Sequence, residues 1–146
     1  DMIRSFMGEI EEVKGFTPNL YWSAAVEDNA FVLLKSQTGQ IGSIHTSWSN
    51  WKPTHTFEIF GDKGYITVSG LGRKYGDGEK VILGRRDEDY SWQPKEEVFA
   101  CNPDAEMSLA REAEEFVRAI KEGRDPIPGA KDALKTMEIV EKIYNT

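Results

Sequence analysis

The side chains best suited to hold a small molecule include Trp51 and Lys52, which directly follow a predicted strand. Pro53 ends that strand and leaves both residues on a loop, where an indole face can stack on a sugar ring and an ammonium group can reach hydroxyls or a phosphate. A plain surface or packing role is the alternative for both. For Trp48, at the end of the strand, packing in the core is favoured over contact of its indole with a ligand.

A second candidate segment is the glycine-rich stretch 70–76, which carries Arg73 and Tyr75. Its glycines fall as G-x-G-x-x-x-G and no amphipathic helix follows, so a helix N-terminus that could hold a pyrophosphate is not expected here. The loop is predicted either to close over a substrate or to form an ordinary surface turn. Trp51, Lys52, Arg73 and Tyr75 are therefore the candidate substrate-binding residues.

Other kinds of chemistry have less support in the sequence. His45, His55 and the single Cys101 are too few and too scattered for a metal site. His45 is expected to be an ordinary sheet histidine, and Asp28 is expected to organise a turn by accepting nearby backbone N–H groups. Because no Ser/His/Asp order or paired-carboxylate spacing is evident, no catalytic and no metal-binding residue is assigned.

Length, composition and charge narrow the class of protein. With 146 residues, 39% hydrophobic and 29% charged, the chain is typical of one soluble globular domain spanning residues 1–146. The net charge of −7 comes from interspersed acids and bases, so a nucleic acid partner is not expected. The apolar runs are far shorter than the roughly 20 residues that cross a bilayer, so we expect no membrane partner and a cytoplasmic location.

Short β-branched and aromatic runs between turn signals predict an antiparallel meander. The hairpin around Gly61-Asp62-Lys63-Gly64 is the strongest of these signals, because two glycines allow a tight reversal. The predicted strands are 9–15, 30–35, 41–48, 57–60, 65–69, 80–84 and 96–100. They predict one open, mostly antiparallel sheet of about six or seven strands.

The last third of the chain has helical periodicity. One helix is predicted from Asn102-Pro103 to Gly123, with an apolar stripe formed by Leu109, Ala113, Phe116, Val117 and Ile120. A second helix follows, with Ala133, Met137, Val140 and Tyr144 on one side. Both stripes are expected to cover one face of the sheet, which makes an α+β fold. The other face also carries apolar side chains, so we expect self-association or packing against another domain.

Several segments, in order, resemble a known family. Trp48-Ser49-Asn50-Trp51-Lys52 leads into the hairpin Glu58-Ile59-Phe60-Gly61-Asp62-Lys63-Gly64-Tyr65 and the loop Gly70-Leu71-Gly72. Val26-Glu27-Asp28-Asn29-Ala30, Thr38-Gly39-Gln40-Ile41-Gly42 and Ile139-Val140-Glu141-Lys142-Ile143-Tyr144 add to the pattern. Together they resemble the C-terminal domain of the glucose-fructose oxidoreductase / inositol dehydrogenase (Gfo/Idh/MocA) family of NAD(P)-dependent oxidoreductases.

The resemblance implies that the chain is the substrate-binding and oligomerisation half of an enzyme acting on a sugar or polyol hydroxyl. Asp1 resembles the last acid of the family's D-x-G-x-H-x-x-D helix, so the catalytic His and Lys and the N-terminal Rossmann domain are expected before residue 1. That domain would bind NAD or NADP; this chain alone is expected to bind neither and to be inactive. The resemblance also implies a homo-oligomer through the open sheet face. The alternative is a stand-alone ligand-binding or dimerisation module without redox activity.

Overall fold

A computed structural model describes residues 1–71, 75–87, 94–101 and 105–146. Within these residues, three helices and seven strands give an α+β fold, as the sequence predicts. In chain order they are α1 (Met2–Met7), β1 (Ile10–Phe16), β2 (Asn29–Ser36), β3 (Ile41–Ser47), β4 (Thr56–Gly61), β5 (Gly64–Leu71), β6 (Tyr75–Arg85), β7 (Lys95–Cys101), α2 (Ala105–Glu122) and α3 (Ala130–Tyr144). The chain divides into two compact units, Asp1–Trp51 with Gly123–Thr146, and Lys52–Glu122.

The core of the first unit lies on one face of an antiparallel sheet in the order β1-β2-β3. Alternate residues of β2 are buried, and Val32 and Leu34 form the core with Ile10. Ile3 and Met7 of α1 and Ile139 and Ile143 of α3 pack against this core. Each buried Val or Leu side chain contributes about 1.5–3 kcal/mol relative to its exposed state, so these contacts hold both helices on the sheet.

The opposite face of the same sheet is exposed and carries apolar residues beside the charged Glu12, Lys14 and Lys35. Phe16, Phe31, Leu33 and Ile41 have exposed fractions of 77%, 43%, 55% and 68%. The register places Phe31 between Phe16 and His45, and the rings of Phe31 and His45 stack with their centroids 4.3 Å apart. Because β2 reads Phe-Val-Leu-Leu, both of its faces are apolar, and only one is covered within this unit.

The second unit contains an antiparallel sheet in the order β4-β5-β6-β7. The predicted hairpin is confirmed, with Gly61 paired to Gly64 across the turn. Gly64 has φ +148°, and a Cβ there would lie 2.1 Å from the carbonyl oxygen of Gly84. This position therefore requires glycine, both for its backbone conformation and for the close approach of β6.

Two expectations about the arrangement of these elements need correction. The seven strands form two hydrogen-bonded sheets, of three and four strands, instead of one. Their boundary falls in residues 48–55, where Trp51 has φ +57° and Pro53 lacks an N–H, so β3 ends before this stretch.

The helices also differ from expectation. Helix α3 packs on the sheet as predicted, but through Ile139 and Ile143, whereas Met137 and Tyr144 of its predicted stripe are exposed. The stripe residues Leu109, Phe116, Val117 and Ile120 of α2 are exposed as well. Gly123, at φ +65°, ends α2 as predicted, because only glycine adopts this left-handed conformation readily. The predicted start at Asn102-Pro103 lies outside the described residues.

Candidate functional site

The site is built around the carboxylate of Asp28, which is only 4% exposed. Its Oδ1 accepts the backbone N–H of Leu20 at 2.8 Å, and its Oδ2 accepts those of Tyr21 at 2.7 Å and Trp22 at 2.9 Å. The side-chain amide of Asn29 donates a fourth hydrogen bond, at 2.9 Å to Oδ1. The expected turn-organising role of Asp28 is thus confirmed, because its carboxylate accepts the backbone N–H groups of three consecutive residues.

These hydrogen bonds also determine the charge state of Asp28. The N–H donors of Leu20, Trp22 and Tyr21, together with the Asn29 amide, hold the pKa of Asp28 well below its ordinary value, and they outweigh burial, which acts in the opposite direction. The carboxylate is therefore ionised at neutral pH. Because all four donors point at its two oxygens, it serves as an internal anchor and not as a proton acceptor for a substrate.

Further hydrogen bonds tie the loop between β1 and β2 to itself and to the end of β3. The Asn19 amide donates to the carbonyl oxygens of Ala24 and Val26, at 2.8 and 2.9 Å. The Trp48 N–H donates to the Asp28 carbonyl oxygen at 2.8 Å, and the Asn29 amide reaches the Ser49 hydroxyl at 3.0 Å. The loop and the segment after β3 are consequently held together at one end of the sheet.

Three aromatic rings meet at this point. The Tyr21 ring contacts Trp51 edge to face, with centroids 4.9 Å apart, and Trp22 edge to face at 5.0 Å. The rings of Trp22 and Trp51 lie 5.9 Å apart at 66°. The exposed fractions of Tyr21, Trp22 and Trp51 are 63%, 47% and 67%. We call these three residues the aromatic cluster; such an exposed aromatic surface can bind the C–H face of a small ring compound.

The four predicted substrate-binding residues lie in different places, and the structure does not describe all of their side chains. Trp51 lies in the aromatic cluster, and Lys52 is exposed at the first position of the second unit. Arg73 lies outside the described residues. For Tyr75 the structure describes the backbone, which opens β6 and pairs with Leu71, but not the side chain.

The expectation for Trp48 was wrong, because its side chain is 81% exposed instead of packed in the core. Strand β3 ends at Ser47, so Trp48 lies beyond the sheet. Its carbonyl oxygen accepts a hydrogen bond from Nε1 of Trp22 at 3.4 Å, and this backbone contact helps to position the aromatic cluster.

Sequence reasoning did not assign Tyr21 and Trp22 to a site. A signal was present, since two adjacent aromatic residues follow Pro18-Asn19 in a segment without strand or helix periodicity. Asp28, six and seven residues further on, is the anchor that brings them to Trp51. A loop that carries exposed aromatics and closes on a buried aspartate is a pattern that sequence inspection can recognise.

The described residues do not match the requirements of two other kinds of ligand, a metal ion and a dinucleotide. Among residues 1–71, 75–87, 94–101 and 105–146, no group of three or more His, Cys, Asp or Glu side chains could hold a metal ion. Gly70 lies in β5 and Tyr75 opens β6, so the 70–76 segment joins two strands and does not lead into a helix. The residues around it therefore do not fit the pyrophosphate of a dinucleotide, which requires a glycine turn at a helix N-terminus.

A shallow groove of about 620 Å³ lies between β1 and the C-terminal end of α3. Its lining includes four glutamates and one lysine: Glu11, Glu12, Glu138, Glu141 and Lys142. None of the aromatic cluster reaches it. Within the part of the chain that is described, no helix is long and apolar enough to cross a membrane.

Comparison with known proteins agrees with the resemblance carried by the sequence motifs. Residues 1–67 match the family model described as GFO/IDH/MocA C-terminal domain, a range that includes Asp28, the aromatic cluster and Lys52. The motifs after residue 67 lie beyond the matched range. A search of curated proteins found no match. The family is associated with NAD(P)-dependent oxidoreductases, and residues 1–67 of this chain are similar to its C-terminal domain.

Proposed function

We propose that this chain is the substrate-binding and oligomerisation domain of an NAD(P)-dependent oxidoreductase that acts on a hydroxyl group of a sugar or polyol. The observation that carries the proposal is the exposed aromatic cluster, whose loop the buried Asp28 holds through backbone hydrogen bonds. A sugar presents C–H bonds on the faces of its ring, and these bonds suit an indole surface.

In this proposal Trp51 stacks on the substrate, while Lys52, Arg73 and Tyr75 contact its hydroxyls. The domain contributes no catalytic residue of its own. A nicotinamide, when bound, supplies the hydride acceptor, and it would be held by an N-terminal Rossmann domain, because none of the glycines that the structure describes lies in a dinucleotide turn. The task of this chain is to bind and orient the carbon that is oxidised.

The exposed sheet face formed by Phe16, Phe31, Leu33 and Ile41 supports the oligomerisation part of the proposal. Exposed apolar side chains grouped on one sheet face, here beside the charged Glu12, Lys14 and Lys35, are typical of an interface with a polar rim. The same face also favours the second candidate function, a dimerisation module without redox activity. In that case the coding sequence before residue 1 would lack a strand followed by G-x-G-x-x-G and a helix.

The proposal is tested with the complete protein by measuring sugar-dependent reduction of NAD+ and NADP+ with a panel of aldoses, ketoses and cyclic and acyclic polyols. We expect reduction with at least one member of the panel. A complete protein that carries the dinucleotide turn, binds NAD(P) and still oxidises no member of the panel would contradict the substrate class. A complete protein without such a turn would favour the dimerisation module.

A further inference from the structure

We propose that Tyr21 and Trp22 are substrate-contacting residues, and that together with Trp51 they form a site for an uncharged pyranose ring in preference to an acyclic polyol. This inference rests on the proposed function for the sugar class, and it adds two residues and a ring requirement. It starts from how the three rings are held, how their faces are oriented and which charges surround them.

The aromatic cluster is held by hydrogen bonds within the chain. Three consecutive N–H groups, of residues 20–22, bond to the buried Asp28, so the backbone that carries Tyr21 and Trp22 is constrained. Holding large aromatic side chains 47–67% exposed on a constrained loop keeps apolar surface in water. A preformed aromatic surface loses little conformational entropy when a ligand binds, and this favours a binding role over chance exposure.

The ring geometry leaves aromatic faces available. The two contacts of Tyr21 are edge to face, with interplanar angles of 83° and 81°, and the Trp22–Trp51 pair is inclined at 66°. No pair within the aromatic cluster is stacked face to face. An indole face carries negative quadrupolar charge, and the axial C–H bonds of a pyranose present a complementary, weakly positive surface.

The electrostatics of the aromatic cluster favour a neutral ligand. Both oxygens of Asp28 are occupied by four donors, and Nε1 of Trp22 is directed to the Trp48 carbonyl oxygen. Recognition at these rings therefore depends on stacking and not on an ion pair. An acyclic polyol has no fixed C–H face and must give up several rotatable bonds on binding, so it should bind more weakly than a ring of the same hydroxyl content.

The experiment titrates the 146-residue chain with methyl β-D-glucopyranoside, whose ring carries only axial C–H bonds on both faces, and in parallel with sorbitol. Binding is followed by tryptophan fluorescence and by the indole N–H signals in NMR spectra. We expect saturable binding of the glucopyranoside with a Kd of about 1–10 mM, and binding of sorbitol at least about tenfold weaker.

Variants assign the effect to the aromatic cluster. Trp22→Ala and Tyr21→Ala should each weaken glucopyranoside binding about tenfold, while Tyr21→Phe, which keeps the ring, should bind nearly as the parent chain does. Trp48→Ala is the matched control, since it removes an indole that is 81% exposed but keeps the backbone groups that bond to Asp28 and Trp22. The Kd of Trp48→Ala for the glucopyranoside should equal that of the parent chain.

Three results would overturn the inference: equal binding of sorbitol, unchanged binding by folded Trp22→Ala and Tyr21→Ala, or no binding of the glucopyranoside up to about 100 mM. These failures are separate from a failure of the proposed function. If the complete protein oxidises a sugar and Trp22→Ala does not affect the KM, the oxidoreductase stands and this site is wrong. If the glucopyranoside binds through the rings but no NAD(P)-linked oxidation occurs, the site stands and the oxidoreductase is wrong.

Discussion

At the scale of single residues, Asp28 determines how the aromatic side chains before it are presented. It is one of only a few buried polar residues in the described chain, and four hydrogen bonds converge on its carboxylate. Replacing one acceptor oxygen by an NH2 group leaves a backbone N–H of the loop without a partner and places two donors against each other. The loop and the aromatic cluster should therefore loosen together.

Asp28→Asn tests this role. We expect the midpoint of thermal unfolding to fall by about 3–8 °C and the tryptophan emission to shift to the red, because Trp22 and Trp51 become more hydrated. Asp62→Asn, at an exposed hairpin position, is the matched control and should change the midpoint by less than about 2 °C. An unchanged midpoint and unchanged emission in Asp28→Asn would show that the carboxylate does not anchor the loop.

The lowered pKa of Asp28 also predicts how stability depends on pH. Since the folded pKa is below the ordinary value of 3.8, the unfolded chain takes up a proton first as the pH falls. The stabilisation by Asp28 is complete above that value and is lost progressively as the pH drops toward the folded pKa. Lys135 and Lys14, by hydrogen bonding to Glu9 and Glu12, lower the pKa of those exposed carboxyls as well, so they add to the same trend.

Urea unfolding between neutral pH and about pH 2 measures this dependence. The free energy of unfolding should decrease with falling pH in the parent chain and decrease less in Asp28→Asn, because the variant lacks the titrating group. Parallel curves for the two proteins would contradict the assignment of the pKa shift to Asp28.

At the residue scale, the sequence predicted the role of some side chains of the site and not of others, for physical reasons. The turn-forming role of Asp28 follows from its side-chain chemistry alone, and so it was predicted correctly. The contact of Tyr21 and Trp22 with Trp51 depends on the path of a loop of irregular conformation, which periodicity does not reveal. Trp48 was placed in the core because its type is usually buried, whereas the structure ends β3 one residue earlier.

At the scale of secondary structure elements, all seven strands were predicted near their positions, because turn residues separate them and most contain β-branched or aromatic residues. Strand β6 begins at Tyr75, five residues before the predicted strand 80–84. The β4–β5 hairpin depends most on glycine. Gly64 has φ +148°, and a Cβ added to it would lie 2.1 Å from the Gly84 carbonyl oxygen, whereas a Cβ added to Gly61 would lie 3.9 Å from the nearest atom. The two glycines of one turn therefore carry different constraints.

Gly64→Ala should destabilise the protein by about 2 kcal/mol or more, because it strains the backbone and forces β5 and β6 apart. Gly61→Ala is the control from the same hairpin and should change the free energy of unfolding by less than about 1 kcal/mol. Urea denaturation of both variants provides the comparison. Equal losses in the two variants would mean that the close approach of β5 to β6 is not what the hairpin requires.

The division into two sheets and the exposure of α2 were not predicted. Local patterns report which residues form a strand, but pairing between strands distant in the chain depends on tertiary contacts. For α2 the apolar stripe was identified correctly, and only its burial was not. The stripe shows that the helix needs a partner surface, and periodicity alone does not say which surface that is.

At the scale of the whole molecule, the exposed face of the β1-β2-β3 sheet predicts self-association. Each 100 Å² of apolar area buried there contributes on the order of 2.5 kcal/mol before the costs of association. We expect sedimentation of the 16.5 kDa chain at micromolar concentration to show a concentration-dependent oligomer. A monomer at every concentration would contradict this use of the face.

Charge substitutions locate the interface. Phe16→Glu, on the exposed sheet face, should shift the equilibrium to the monomer, since it places a charge among apolar side chains. Phe60→Glu is the matched control, because Phe60 is 74% exposed on β4 of the other sheet and Phe16 is 77% exposed. Equal dissociation by the two variants would mean that the contact does not use the β1-β2-β3 face.

The central claim, that this domain binds the sugar or polyol substrate of an oxidoreductase through Trp51, is tested most directly by steady-state kinetics of Trp51→Ala in the complete protein. We predict that the KM for the sugar rises about tenfold, that the KM for the cofactor is unchanged, and that Trp51→Phe recovers part of the loss. Trp48→Ala should match the parent enzyme. Sugar kinetics unchanged in Trp51→Ala would contradict the claim and leave Trp51 as a surface residue.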